Sequence, residues 1–276
     1  MKISVLIMAM ALGITGFSQN GKLQLQKGQK FEMVTETKKE ATMELMGQPM
    51  ASTTNVTITE VYDVQDAGSN GFVVEHKIKQ IVLDANAMGQ NQKFDSEKEE
   101  DRNGELGKMF EKSLKNKYTL TLDAAGNITA VKLDDDNPNE NDAMTDLVAS
   151  QLGINLVPPK TGSKTVLLAV PQHALKPGET WTDSVSTQGE TRKTNYTVSS
   201  ISGNDVLIDF TEESNIDSQK DVMGTTANFK IRSNNTGKII VDKKTGILKS
   251  KTTTSDAQGT IEANGQTIPS KEKATT

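Results

Sequence analysis

Tyr118-Thr-Leu-Thr-Leu-Asp-Ala-Ala-Gly-Asn-Ile-Thr-Ala-Val-Lys132 and Gly237-Lys-Ile-Ile-Val-Asp-Lys-Lys-Thr-Gly-Ile-Leu-Lys-Ser250 are two versions of one pattern. Each alternates apolar with polar, breaks at an Asp, reaches a Gly, and alternates again. An Asp that opens a turn bonds its own backbone, and a Gly that closes it accepts positive φ without steric cost. Alternation with period two on both sides of such a turn specifies an antiparallel hairpin with one face in the core. Two copies 119 residues apart predict a mainly β chain with an internal repeat.

Working outward, Asn55–Val64 and Phe72–Ile78 flank a turn at 66–71, and Asn195–Ile201 and Val206–Phe210 flank one at 202–205. Both read as strand, turn, strand. Lys27-Gly-Gln-Lys-Phe31 is paralleled by Lys176-Pro-Gly-Glu-Thr-Trp181. Met46-Gly47-Gln48, Met88-Gly89-Gln90, Met223-Gly224-Thr225 and Asn264-Gly265-Gln266 read as hairpin tips between alternating runs. Between the halves the pattern changes. Residues 104–117 carry Leu106, Met109, Phe110 and Leu114 at helical spacing, and 141–152 do the same with Met144, Leu147, Val148 and Leu152. Thr165–Val170 reads as a short apolar strand. The predicted organisation is a signal peptide over 1–18, a β-rich repeat over 19–133, a helical linker over 134–163 and a second repeat over 164–276. The fold class is mainly β: a duplicated antiparallel sheet forming a half-barrel or open sandwich, with one or two short linker helices. Halves this small have poor cores alone, so the repeats are expected to share one.

Composition agrees. Ile, Leu, Val and Phe supply only 61 of 276 residues, whereas Thr, which suits a pleated and half-solvated surface, supplies 32. A net charge of −5 gives no basic footprint for nucleic acid or an anionic membrane. The absence of Cys removes disulfides, thiolate catalysis and zinc-thiolate sites, and two histidines leave little for a multi-histidine centre or a catalytic triad. Lys2, the apolar run Ile3–Phe17 and small residues up to Ser18 read as a cleaved export signal. Its apolar run is short for a membrane span, and no second such run follows. The expected location is therefore periplasmic or secreted, with no transmembrane segment after cleavage.

The order of signal, KPGETW (176–181), YTLTLDAAGNI (118–128) and TGKIIVDKKTGILK (236–249) resembles an uncharacterised family of exported Gram-negative bacterial proteins with no assigned activity. That resemblance implies no functional residues. Members often carry a lipoprotein cysteine, which this chain lacks. A looser likeness, of architecture alone, is to the half-barrel lipid carriers of the bacterial envelope.

Candidate sites are few. Asp135, Asn137, Asn139, Asn141 and Asp146 mimic calcium-loop spacing, but Glu140 stands where that loop needs Gly, so helix capping explains them better. Met43, Met46 and Met50 offer soft sulfur for Cu(I), yet Met is also ordinary core filler. Asp183-Ser184-Val185 matches a short O-glycosylation acceptor. His76 shares a strand face with Phe72, Val74 and Ile78, the place of a hydrogen-bonded interior residue, and His173 sits in a Pro-bounded loop. No phosphate loop or nucleophile–base pair is recognisable, so no catalysis, no cofactor and no resident metal are expected. The expectation is an envelope binding protein that holds a lipid or other hydrophobic small molecule in a curved groove. Phe72, Val74, Tyr118, Leu120, Leu122, Trp181, Val206, Ile208 and Phe210 are expected to line it. The alternative is a structural or interaction module that recognises a protein or glycan through tip residues Met46, Gln48, Met88, Gln90, Met223 and Gln266.

Overall fold

The structure, a computed structural model, describes residues 23–134, 149, 152, 154, 156, 158–168 and 175–276, apart from tip positions 46, 88, 188, 223, 224 and 264. In chain order the strands are β1 Lys30–Leu45, β2 Gln48–Gly68, β3 Gly71–Ala87 and β4 Gln90–Asp95. Helices α1 Glu99–Arg102 and α2 Glu105–Lys115 follow, then β5 Lys117–Leu122 and β6 Ile128–Leu133. The rest is β7 Thr180–Thr187, β8 Glu190–Ser202, β9 Asp205–Val222, β10 Thr225–Asp242, β11 Leu248–Ala263 and β12 Gln266–Thr275. All twelve strands belong to one antiparallel sheet. Its order is β6-β5-β3-β2-β1-β12-β11-β10-β9-β8-β7, with β4 also on β3.

The sheet is open, with edges at β6 and β7. Its continuity depends on the first strand pairing with the last, Lys38 opposite Thr275 through Met43 opposite Ser270. Two-residue tips join the long strands, as the closing pairs Leu45–Gln48, Ala87–Gln90, Val222–Thr225 and Ala263–Gln266 require. Gly47, Gly89 and Gly265 take φ of 74°, 76° and 73° there, the left-handed region a tight hairpin demands.

The two halves use matching local geometry. Before β1, Gly28 N donates to Val64 O, Gln29 N to Gln26 O and Val64 N to Gln29 O. Before β7, Gly178 N donates to Val198 O, Glu179 N to Lys176 O and Val198 N to Glu179 O. The side chains repeat as well: Gln26 N donates to Gln29 Oε1 and Lys176 N to Glu179 Oε2. A bulge follows at Gln65 in one half and at Ser199 in the other. Asp123 accepts from Ala125 N and Asn127 N, and Asp242 accepts from Lys244 N and Thr245 N. The halves differ opposite the third strand. β10 pairs along the whole of β9, whereas β5 pairs Phe72–Lys77 and β4 pairs Val82–Ala87 of β3. β4 and β5 thus share the place that β10 holds alone, with both helices inserted between them.

One apolar cluster joins the halves. It contains Leu23, Leu25, Val64, Val74, Leu120, Leu122 and Ile128 from the first, and Leu175, Val198, Val206, Ile208, Ile239, Val241 and Ile247 from the second. A second cluster lies farther along the first half, where Val56, Ile58, Ile81, Leu83 and Phe94 are covered by Phe110 of α2, Ala149 and Ile154. The four apolar positions that predicted α2 all pack there or, in the case of Phe110, are fully buried there.

One expectation needs correction. Described residues 165–168 are a turn held by single bridges rather than a strand. Leu167 and Leu168 are both buried while Val166 is 51% exposed, which is not a strand's alternation. The segment is a strap instead, since Thr165 N donates to Gly126 O and Leu167 O accepts from Leu248 N, tying the two Asp-Gly turns together. The acidic run 96–101 leads into and forms most of α1, with residues 97–100 exposed. There Arg102 Nη1 donates to Ser96 O and Glu97 O, and Asp101 Oδ2 accepts from Asp95 N. The calcium-like loop at 135–146, His173 and most of the second predicted helix lie outside the described residues.

Candidate functional site

Pairing across β1, β2, β3, β5 and β6 sets Phe31, Tyr62, His76, Tyr118 and Leu133 in one row. The bulge at Lys79 lies between this row and the rest of β3: Glu60 faces Ile78, and Thr59 faces Gln80. It also shifts the buried positions from even (72, 74, 76, 78) to odd (81, 83, 85), so the apolar face stays continuous across the extra residue.

His76 is 3% exposed. Its ring stacks on Tyr118 at 4.3 Å and 26° and lies at 4.7 Å and 54° to Tyr62. Nε2 is 2.8 Å from Glu60 Oε1. A carboxylate only accepts, so Nε2 carries the proton and donates to Glu60. Nδ1 is buried and has no hydrogen-bond partner. Burial, assisted by the negative charge of Glu60, pushes the Tyr62 hydroxyl well above the usual phenol range, and Tyr118 moves the same way for the same reasons. Both phenols therefore remain protonated at neutral pH.

Glu60, Tyr62, His76 and Tyr118 line a cavity of about 230 Å³ between the sheet, α2 and the strap. Met33, Ile58, Ile78, Leu120, Leu156 and Pro158 give it apolar walls. A second cavity of about 530 Å³ lies on the other side of the strap, where Phe31, Met33, Leu168, Tyr196, Ile239 and Lys251 are among its walls. Met33 and Val166 border both.

The corresponding row of the second half is Trp181, Tyr196, Phe210 and Gly237. Trp181 stacks on Tyr196 at 4.8 Å and 11°. A Cβ at Gly237 would stand 2.6 Å from the Phe210 ring and 2.0 Å from Thr252 O, so the ring occupies the space a side chain would need. Lys251 Nζ lies 5.1 Å above that ring, and burial holds its amine below the usual range. Beyond the row, Glu212 accepts from the Thr194 hydroxyl and Asn235 Nδ2 at 2.8 Å each. Phe210 thus stands where the first half has His76, and Gly237 where it has Tyr118.

Phe72, Val74, Leu120, Leu122, Val206, Ile208 and Phe210 all lie in the shared cluster, with Tyr118 and Trp181 packed partly buried against it. Of these nine, Tyr118 and Leu120 also line the smaller cavity. Glu60 and Tyr62, unremarked in the sequence, complete the polar end. Their signal was present: a carboxylate and a phenol two apart on a strand share its face. Gln48, Gln90 and Gln266 are exposed at their tips, while Met46, Met88 and Met223 lie outside the described residues. Met43 and Met50 are cross-strand partners, and Asp183, Ser184 and Val185 are exposed on edge strand β7. Among the described residues no group of three or more His, Asp or Glu side chains is placed to hold a metal ion, and no helix is long and apolar enough to cross a membrane.

No curated protein matches this sequence. An outer membrane channel from Pseudomonas putida F1 aligns over 92% of this chain and 98% of the channel, at 8% identity and a TM-score of 0.23, a likeness too slight to carry an argument. A family model described as a family of unknown function (DUF6263) matches residues 69–248, from the turn before β3 to the start of β11, and the chain belongs to that family.

Proposed function

We propose that the protein is a non-enzymatic binding protein, exported through the signal at 1–18, whose two β-rich repeats share one core and hold a small amphipathic molecule beneath the strap. The observation that carries this reading is the cavity at His76, with apolar walls from β1, β2, β3 and β5 and a buried polar end. Binding sites commonly combine a mainly apolar lining with a few convergent polar groups. The cavity is smaller than the usual drug-sized pocket, so the ligand is small. It lies beside the residues expected to form a groove rather than among most of them, because Phe72, Val74, Leu122, Val206, Ile208 and Phe210 fill the interior themselves.

A binding role suits this chemistry better than hydrolysis. Ser113 shares the cavity wall, but His76 Nδ1 has no partner, so no serine–imidazole hydrogen bond is formed. The test is native mass spectrometry of the mature chain, purified from a bacterial periplasm without detergent. A stoichiometric small-molecule adduct is expected, and it should be lost in Met33→Arg, which places a charge in the cavity wall. Substituting Gln48, Gln90 and Gln266 together should leave the adduct intact. An empty protein that captures its partner only through intact tips would replace this reading with the interaction module.

A further inference from the structure

We infer that the ligand of this cavity is an uncharged amphiphile whose polar end is a hydroxyl, and that this hydroxyl donates to His76 Nδ1. The inference rests on the binding role proposed above and adds the chemistry of the ligand's head. Every other approach to the imidazole is taken. One ring face is stacked on Tyr118, the other side is flanked by Tyr62, and Nε2 is committed to Glu60 at 2.8 Å. Nδ1 is what remains, on a side chain 4% exposed in a residue that lines the cavity.

The carboxylate decides which kind of partner Nδ1 wants. With Nε2 donating to Glu60, an uncharged imidazole keeps a lone pair and no hydrogen at Nδ1, and in that form Nδ1 accepts. A ligand carboxylate or ether offers no hydrogen there and would leave Nδ1 unsatisfied, whereas an alcohol or phenol satisfies it. An anionic head at Nδ1 would also sit near the Glu60 carboxylate, in a cavity whose one cationic wall residue among the described residues is Lys164 of the strap region. The apolar remainder of the ligand would run along Met33, Ile58, Leu156 and Pro158. The second half has no such site, because Phe210 stands in place of the imidazole.

The experiment uses 4-propylphenol and its methyl ether as probes on the whole mature chain, with binding followed by calorimetry and the imidazole nitrogens by long-range proton–nitrogen NMR. The phenol is expected to bind at least tenfold more tightly than the ether, the loss that follows when a buried acceptor is left unmade. It should also move the Nδ1 resonance while Nε2 stays protonated. In His76→Phe the preference should collapse to less than threefold. The wild-type NMR result stands on its own should that variant not fold. Equal affinity for the two probes, or an Nδ1 resonance unchanged at saturation because only water meets it, would overturn the hydroxyl assignment and leave the cavity a binding site. Failure of both probes and of every small co-purifying molecule to bind would overturn the binding role itself.

Discussion

Leu122→Ala offers the most direct test of whether the two halves form one folding unit. Leu122 is fully buried at the end of β5, in a cluster whose members come from both halves of the chain. Truncating a fully buried leucine removes its transfer free energy and leaves a cavity, together about 2–5 kcal/mol. A cost of about 3 kcal/mol corresponds to a fall in Tm of roughly 6–12 °C for a chain of this size. The reporter is Trp181, the sole tryptophan, which sits on β7 in the other half and packs against the same cluster. Far-UV circular dichroism follows the whole sheet. In the wild type the two signals should give one coincident transition, and in Leu122→Ala both should shift together by the same amount. A tryptophan transition that stays at its wild-type midpoint while the circular dichroism curve splits would refute the shared core and make the halves separate domains.

Gly237→Ala should cost roughly 1–3 kcal/mol in urea denaturation, because the new methyl meets the Phe210 ring and Thr252 O and the β10–β11 pair must shift; an unchanged midpoint would contradict the close approach. Glu60→Leu should destabilise by about 1–3 kcal/mol by leaving the buried Nε2–H of His76 unpaired, and Glu60→Gln, which can still accept, by clearly less; equal losses would show that the hydrogen bond does not matter. At Asp242, desolvation raises the carboxyl's pKa, but donors from Thr245, Lys244 and Lys249 outweigh it and hold the group below its usual range; Asp123 is held down in the same way by Asn127 and Ala125. Their contribution is thus present at neutral pH and lost as pH falls through and below about 4. The double variant Asp123→Asn, Asp242→Asn should show a shallower decline in denaturation midpoint between about pH 5 and pH 3, and curves parallel to the wild type would count against it.

Much of the architecture was legible because hairpins are local. Asp123 and Asp242 act through the next few residues, and alternation of apolar and polar residues needs only the pleat, so both Asp-Gly hairpins and α2 emerged from the sequence. Bulges were not legible. At Lys79 one extra residue reverses which positions face inward, and nothing local to Ile78-Lys-Gln-Ile81 marks it. The strap differs from its sequence pattern for a similar reason: Leu167 and Leu168 look like strand residues, but the segment is held where Thr165 N donates to Gly126 O of one hairpin and Leu167 O accepts from Leu248 N of the other, in parts of the chain far apart in sequence.

The sequence by itself determined the class, the strands and their turns, because these depend on propensities and periodicities within about a dozen residues. Only the tertiary structure decided that the first strand pairs with the last, and that Glu60, Tyr62, His76 and Tyr118 meet at one cavity. Those four residues come from three strands. They are brought together by cross-strand register, a sum of backbone pairings and bulges along the sheet, and no short stretch of the chain encodes that sum.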